Sequence, residues 1–129
     1  MAEPKSPTHG DDMPPACYAE FWLHYLRAHS RPGTRRLHYL GTALGTLALA
    51  TAIAKRDWRL VPVALAAGYA PAWIGHFGVE RNRPATFGHP LWSFVSDYRM
   101  AALALGERLG PEMAKAGIEQ ARKETGTAA

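Results

Sequence analysis

Residues 75–85, GHFGVERNRPA, place a histidine and a carboxylate where a long uncharged stretch meets its first charges. His76 and Glu80 are four residues apart, so on a helix both side chains leave the same face, about one turn from each other. An imidazole and a carboxylate in that position can bind a metal ion, and they are costly to bury without a partner. The pair is therefore the first candidate site.

Two uncharged segments must position this pair. Residues 37–54 and 60–79 contain no Asp, Glu, Lys or Arg, and as helices each spans roughly 27–30 Å, close to the thickness of a bilayer core. The five residues between them suit the connection of an antiparallel helical hairpin. We therefore expect a transmembrane hairpin; the alternative is a pair of buried helices in a small soluble bundle.

Further helices are expected on either side of the hairpin. Residues 17–30 repeat aromatic residues at spacings of three or four, which favours an amphipathic helix at the membrane–water boundary. Residues 91–106 form another helix candidate. The predicted fold is an all-α small membrane helical bundle: a central antiparallel transmembrane hairpin with flanking interfacial amphipathic helices. Its domains are a disordered leader (1–15), a membrane-associated domain (16–108) and a polar, solvated helical tail (109–129).

Small residues and a proline give the hairpin two further features. Gly41, Gly45 and Ala48 form a stripe that either lets another helix approach closely or simply reflects an Ala-rich helix. The stripe allows a homo-oligomer without requiring one. Pro71 is expected to kink the second helix one to two turns before His76, which frees backbone carbonyls near the site.

The hairpin brings more histidines to the first pair. His38 begins the first apolar helix and His76 ends the second, so both lie at the same end of an antiparallel hairpin. His29 approaches that end from the preceding helix. With Glu80 the set suits a divalent metal, and imidazole accommodates Fe, Zn, Cu or Ni. A single histidine at a helix end is usually interfacial or capping, and Glu80 alone could be a solvated charge or a partner of Arg83.

Three further histidines are given other roles. His24, four residues after Glu20, is interpreted as forming a surface pair with it. His89 is either a further ligand or an ordering residue of its loop, and His9 is expected to be inert. Arg83 either holds a substrate carboxylate bidentately or anchors at lipid headgroups.

Charge and cysteine usage exclude several classes of function. The net charge is +4, but the basic residues are not interleaved with aromatic residues on one face, so no nucleic-acid partner is expected. Cys17 is the only cysteine, so no intrachain disulfide can form. Ser93, Ser96 and Cys17 have no His–carboxylate arrangement that suggests a catalytic nucleophile. Six arginines flank one end of the hairpin and three basic residues the other, which predicts that both termini lie in the cytoplasm. The membrane expected is a bacterial inner membrane.

Two stretches carry a resemblance to a known family: YLRAHSRPGTRRLHYLGT, and GYAPAWIGHFGVERNRPATFGHPLWSFVSDYRM. They resemble the 2-hydroxy fatty acid dioxygenase-like membrane proteins, long catalogued as domain of unknown function family 962. The resemblance runs from about Tyr18 to Met100, and its most specific element is His76, Glu80 and 83–85. Eukaryotic members have a longer middle and tend to carry His-His-Asn where this chain has Ala-His-Ser at 28–30.

The resemblance implies a chemistry. Eukaryotic members use Fe(II) and O2 to convert a 2-hydroxy fatty acid to a fatty acid one carbon shorter. Carried over to this sequence, the iron ligands are His38, His76 and Glu80, with His29 as a fourth or exchanging ligand. The open positions would take O2 and the hydroxyl and carboxylate oxygens of the substrate.

Roles for the remaining groups follow from that hypothesis. His76 and Glu80 are the predicted catalytic residues, with Glu80 as ligand, proton carrier or partner of Arg83. Arg83 and Arg36 are the predicted substrate-binding residues, and the acyl chain lies along the Ala/Gly-lined hairpin or in the bilayer. The rival hypotheses are a non-catalytic membrane protein whose histidines order the hairpin, and a metal-dependent hydrolase or desaturase-like enzyme acting on lipid.

Overall fold

The computed structural model describes residues 14–118, and these contain helices and no strand. The predicted all-α class is therefore confirmed. Residues 1–13 of the predicted leader, which include His9, and residues 119–129 of the predicted tail lie outside the described residues. The helices are α1 (Tyr18–Ala28), α2 (Pro32–Lys55), α3 (Leu60–Ile74), α4 (Pro90–Leu105) and α5 (Leu109–Lys115), with a π-helical turn (Gly75–Glu80) continuing α3 and a 3-10 turn (Ala85–Phe87) before α4.

Helices α2 and α3 form the predicted hairpin, and glycines let them pack closely. A Cβ atom added to Gly41 would lie 2.4 Å from the carbonyl oxygen of Gly68, and one added to Gly45 would lie 3.1 Å from the Gly68 Cα. Only residues without a side chain allow two helix backbones to approach so closely. The predicted small-residue stripe is therefore used inside the chain, between the two arms of the hairpin.

The two helices of the hairpin are long, apolar and largely exposed. Pro32–Lys55 and Leu60–Glu80 are 24 and 21 residues long, so both are long and apolar enough to cross a membrane. Only 17% and 22% of their most apolar windows are buried inside the protein. The central helices of a soluble bundle would be mostly buried. Large apolar side chains instead face outward along both helices, among them Leu40, Leu47, Ile53, Val63 and Leu65.

Helices α1, α4 and α5 pack around a core of their own. The aromatic face predicted for α1 turns inward, because Phe21, Trp22 and Tyr25 are buried against Met100 of α4. Met113 of α5 and Ala116, which follows the helix, close this core, and Glu112 accepts a hydrogen bond of 2.9 Å from the Trp22 indole nitrogen. The structure thus differs from the prediction of a solvated tail, since α5 packs against α1.

Candidate metal centre

Three histidines from three elements meet at one end of the hairpin. His29 follows the last turn of α1, His38 lies in the second turn of α2, and His76 lies in the π-helical turn after α3. Their residue exposures are 0%, 5% and 2%, so water is almost excluded from all three rings. The convergence predicted from the hairpin geometry is present for these three residues.

The rings are close enough to share one ion. The ring centroids lie 4.2 Å apart for His29 and His38, 4.5 Å for His29 and His76, and 4.8 Å for His38 and His76. The Nε2 atoms of His29 and His38 are 2.9 Å apart. Nitrogen ligands at about 2.1 Å from one metal ion lie about 3.0 Å from each other when the angle between the two bonds is near 90°. The separation therefore fits two imidazoles on a common ion.

Each histidine has its Nδ1 atom against an oxygen of the protein. His29 Nδ1 lies 2.6 Å from the carbonyl oxygen of Tyr25, and His38 Nδ1 lies 3.0 Å from that of Thr34. Both oxygens are pure acceptors, so both Nδ1 atoms carry the proton. In a neutral imidazole the Nε2 atom then keeps a free lone pair.

Asn82 settles the tautomer of His76 in the same way. Its Nδ2 atom donates to the carbonyl oxygen of Ala28 at 3.0 Å, which leaves Oδ1 facing His76 Nδ1 at 2.8 Å. Because Oδ1 only accepts, the ring nitrogen must donate. His76 therefore also has an unprotonated Nε2.

These tautomers make the cluster a fit site for a cation. The unprotonated Nε2 atoms of His29 and His38 lie 2.9 Å apart, so their lone pairs repel each other unless a cation lies between them. Burial and the neighbouring His38 and His76 hold the pKa of His29 well below its usual value, so a proton is disfavoured as the cation between them. Histidines that bind metals usually donate their other ring N–H to an oxygen acceptor, as all three do here. The described residues that group within metal-binding distance are these three histidines.

The backbone around His76 is built for a reversal of the chain. Gly75 packs on the first turn of α2, where an added Cβ would lie 3.2 Å from Thr34 Cγ2. After the π-helical turn, Arg81 adopts the left-handed conformation with φ 58°. The backbone N–H of Asn82 then donates to the backbone carbonyl oxygen of His76 at 2.9 Å. This reversal returns the Asn82 side chain to the histidine six residues before it.

Glu80 lies apart from the three histidines. Its carboxylate accepts hydrogen bonds from Ser30 Oγ at 3.0 Å and from the backbone amide of Arg31. Its two oxygens thus hold the turn between α1 and α2. Arg35 holds the same turn from within, donating to the carbonyl oxygens of His29 at 2.9 Å and Ser30 at 2.7 Å.

The predicted substrate-binding arginines lie at the rim. Arg83 is exposed and sits over the ring of Phe87, 5.1 Å from the centroid. Together with Asn82 it lines a surface cavity. Arg36 is exposed on α2. Neither arginine is in contact with the histidine cluster by any interaction that the structure shows in the described residues.

The other two described histidines lie outside the cluster. His24 is exposed on α1. His89 stacks on Trp92, with ring centroids 4.8 Å apart, and meets Phe21 edge-on at 5.4 Å. Its contacts are those of the loop-ordering alternative.

Sequence reasoning missed the groups that orient the histidines. The acceptors on Tyr25 and Thr34 are backbone atoms four residues before a histidine, which any helix provides. Asn82 stands in the RNRPA element, but only the left-handed Arg81 shows that it turns back. Thr34 Oγ1 is the one buried side-chain nitrogen or oxygen in residues 14–118 for which the structure shows no hydrogen-bond partner.

Comparison with known proteins bears on this centre. No curated protein and no solved structure was found to match the chain. One family model matches residues 16–109, described as "2-hydroxy-palmitic acid dioxygenase Mpo1-like", and this range holds all three clustered histidines, Asn82 and Glu80. The match covers well over half of the chain, which therefore belongs to the Mpo1-like family.

Proposed function

We propose that this protein is an Fe(II)-dependent dioxygenase that shortens 2-hydroxy fatty acids by one carbon. The observation that carries the proposal is the convergence of three buried imidazoles whose Nδ1 atoms are all held by oxygen acceptors. Such a site leaves the three Nε2 lone pairs for one cation. Membership of a family described as dioxygenase-like points to iron among the metals that imidazole accommodates.

His29, His38 and His76 would hold the iron, which, when bound, supplies the activation of O2 for cleavage of the C1–C2 bond. The reaction balances without a further reductant: one 2-hydroxy acid and one O2 give the shorter acid, CO2 and water. The burial of the three rings keeps bulk water from the reacting carbon atoms.

Three residues act around the histidines in this proposal. Glu80 is a structural residue in this proposal, because its carboxylate holds the turn between α1 and α2 through Ser30 Oγ and the Arg31 amide. Arg83, exposed at the rim beside Asn82, is placed to attract the carboxylate of an approaching substrate. Arg36 adds positive charge at the same end of the hairpin.

The site would lie at one surface of a membrane. The two long helices expose apolar side chains along their length, and six arginines flank the histidine end against three basic residues at the other end. By the positive-inside rule that end faces the cytoplasm, with both termini, in an inner membrane. A 2-hydroxy fatty acid would then enter from the lipid beside the hairpin.

Metal analysis of protein purified without oxygen in detergent tests the proposal. Wild type and His24→Ala, which removes an exposed histidine, are expected to hold about one iron per chain, whereas His76→Ala loses it. Iron-loaded wild type should consume one O2 per 2-hydroxypalmitate and none with palmitate. Wild type that binds no added Fe(II) would overturn the iron centre. Iron without oxygen consumption would overturn the reaction while leaving the centre in place.

A further inference from the structure

A groove runs along the hairpin away from the histidines. It lies between α2, α3 and α4 and has a volume of about 120 Å³. Its floor is the glycine crossing of the hairpin, at Gly41, Gly45 and Gly68. The two backbones touch at this crossing, so the open space of the groove lies beside it, toward α4.

The groove and the metal centre share one face of α2. His38, Gly41, Gly45 and Leu49 follow at spacings of three, four and four residues, which keeps them on the same side of the helix. From Gly41 to Leu49 the helix rises about 12 Å. The groove therefore begins about one turn of α2 beyond His38.

The walls of the groove suit a hydrocarbon chain. Leu49, Leu65 and Phe94 give apolar surface, and hydroxyl groups from threonine and tyrosine interrupt it. Asp97 is the one carboxyl group in the lining, and it accepts a short hydrogen bond from the Tyr25 hydroxyl. The carboxyl is thereby tied to α1, toward the histidine end.

The volume limits what can occupy the groove. A cavity needs about 10–15 Å³ of this volume for each water-sized group that it holds. The groove, at about 120 Å³, therefore accommodates a chain of about ten methylene groups. A helix of a second protein copy, about 10 Å in diameter, does not fit. We infer that the groove holds the acyl chain of the 2-hydroxy fatty acid, with its first ten or so methylene groups enclosed and the remainder in the bilayer.

This inference rests on the proposed function, and chain-length dependence tests it. Each enclosed methylene is expected to raise kcat/KM about fourfold, with a plateau near ten carbons. Leu49→Trp, at the far end of the groove, should make kcat/KM reach its plateau at a shorter chain length. Thr42→Trp, nearer the histidines, should shorten that chain length further. Leu40→Trp, on the lipid-exposed side of α2, is the matched control and should keep the wild-type profile. Unchanged profiles in both groove variants would overturn the groove while leaving the reaction standing.

Labelling of wild type gives a second readout that needs no turnover. Protein in lipid nanodiscs without iron is irradiated with a palmitate analogue that carries a diazirine in mid-chain. Adducts are expected on groove residues such as Leu65 and Phe94, and excess 2-hydroxypalmitate should suppress them. Suppressed groove labelling in a protein that shows no oxygen consumption supports the groove and overturns only the reaction. Labelling spread over the exposed face at Leu40, or labelling that competition leaves unchanged, as a bilayer lipid tail would give, overturns the groove.

Discussion

Asn82 Oδ1 lies 2.8 Å from His76 Nδ1, and this contact decides which nitrogen of His76 is free. The amide group of Asn82 cannot be turned over, because Nδ2 donates to the carbonyl oxygen of Ala28. The Asn82 side chain therefore connects the end of α1 to the π-helical turn, and it also orients the His76 ring. A group of this kind tunes a metal site without touching the metal.

Removal of this contact should weaken metal binding. We expect Asn82→Ala to lower the Fe(II) affinity about 10- to 100-fold, because His76 loses the acceptor that fixes its tautomer. Competition with a chelator under anaerobic conditions measures the change. Asn82→Asp, which keeps an oxygen for His76 Nδ1, should lose less. Equal affinities in wild type and Asn82→Ala would show that the contact does not orient the ring.

Glu80 is expected to affect stability and not the metal. Glu80→Ala removes the acceptor for Ser30 Oγ and the Arg31 amide, which should lower the free energy of unfolding by about 1–3 kcal/mol. Iron content should remain near wild type when measured below the unfolding transition. Loss of iron from a folded Glu80→Ala protein would instead make Glu80 a ligand, as the sequence alone suggested.

The sequence predicts the hairpin well because its signal is long and simple. Two uncharged segments and a five-residue connection determine an antiparallel pair, and that pair brings His38 and His76 to one end. His29 follows because the turn between α1 and α2 is short. None of these steps depends on side-chain packing, so each can be predicted from the sequence alone.

The contacts of Glu80 and Asn82 cannot be predicted from the sequence, because they depend on local backbone geometry. On a regular helix Glu80 would follow His76 on one face, but the segment is a π-helical turn that ends in a left-handed residue. The wider π-helical turn changes the direction of the side chains that follow His76, and the Glu80 carboxylate reaches the turn between α1 and α2. It also returns Asn82 to His76. Spacing rules for an α-helix cannot anticipate either result.

The glycine crossing gives a matched pair of substitutions. Gly41→Ala should destabilise the protein by about 1–3 kcal/mol or more, because its Cβ would lie 2.4 Å from the Gly68 carbonyl oxygen. Gly78→Ala should be tolerated, since nothing lies within 4 Å of the added atom. Thermal unfolding in detergent, followed by circular dichroism, compares the two. Equal transition temperatures would contradict the close approach of α2 and α3.

Asp97 should make stability depend on pH. Burial raises the pKa of this carboxyl from 3.8 to about 6, and the hydrogen bond from Tyr25 offsets only part of the shift. The folded protein holds the proton more tightly than the unfolded chain. The resulting stabilisation is complete below about pH 4 and is lost as pH rises through about 6, by about 3 kcal/mol at most.

A difference measurement isolates Asp97 from His29, which acts in the opposite sense. The pKa of His29 is held below 6.5, so its contribution is lost as pH falls below that value. Unfolding free energies of wild type and Asp97→Asn should therefore diverge between pH 4 and 6.5, with Asp97→Asn gaining relative to wild type as pH rises. The exposed substitution Glu107→Gln should follow wild type. Parallel curves for all three proteins would count against a buried, protonated Asp97.

The single cysteine provides a direct test of the orientation of the hairpin. Cys17 is exposed and precedes α1, on the side of the histidines, while Trp58 is exposed in the connection between α2 and α3. A membrane-impermeant maleimide should label Cys17 in inside-out vesicles and not in intact spheroplasts. In a Cys17→Ser background, Trp58→Cys should show the reverse. Labelling of both sites from one side would exclude a spanning hairpin, and exchanged sides would overturn the orientation inferred from the arginines.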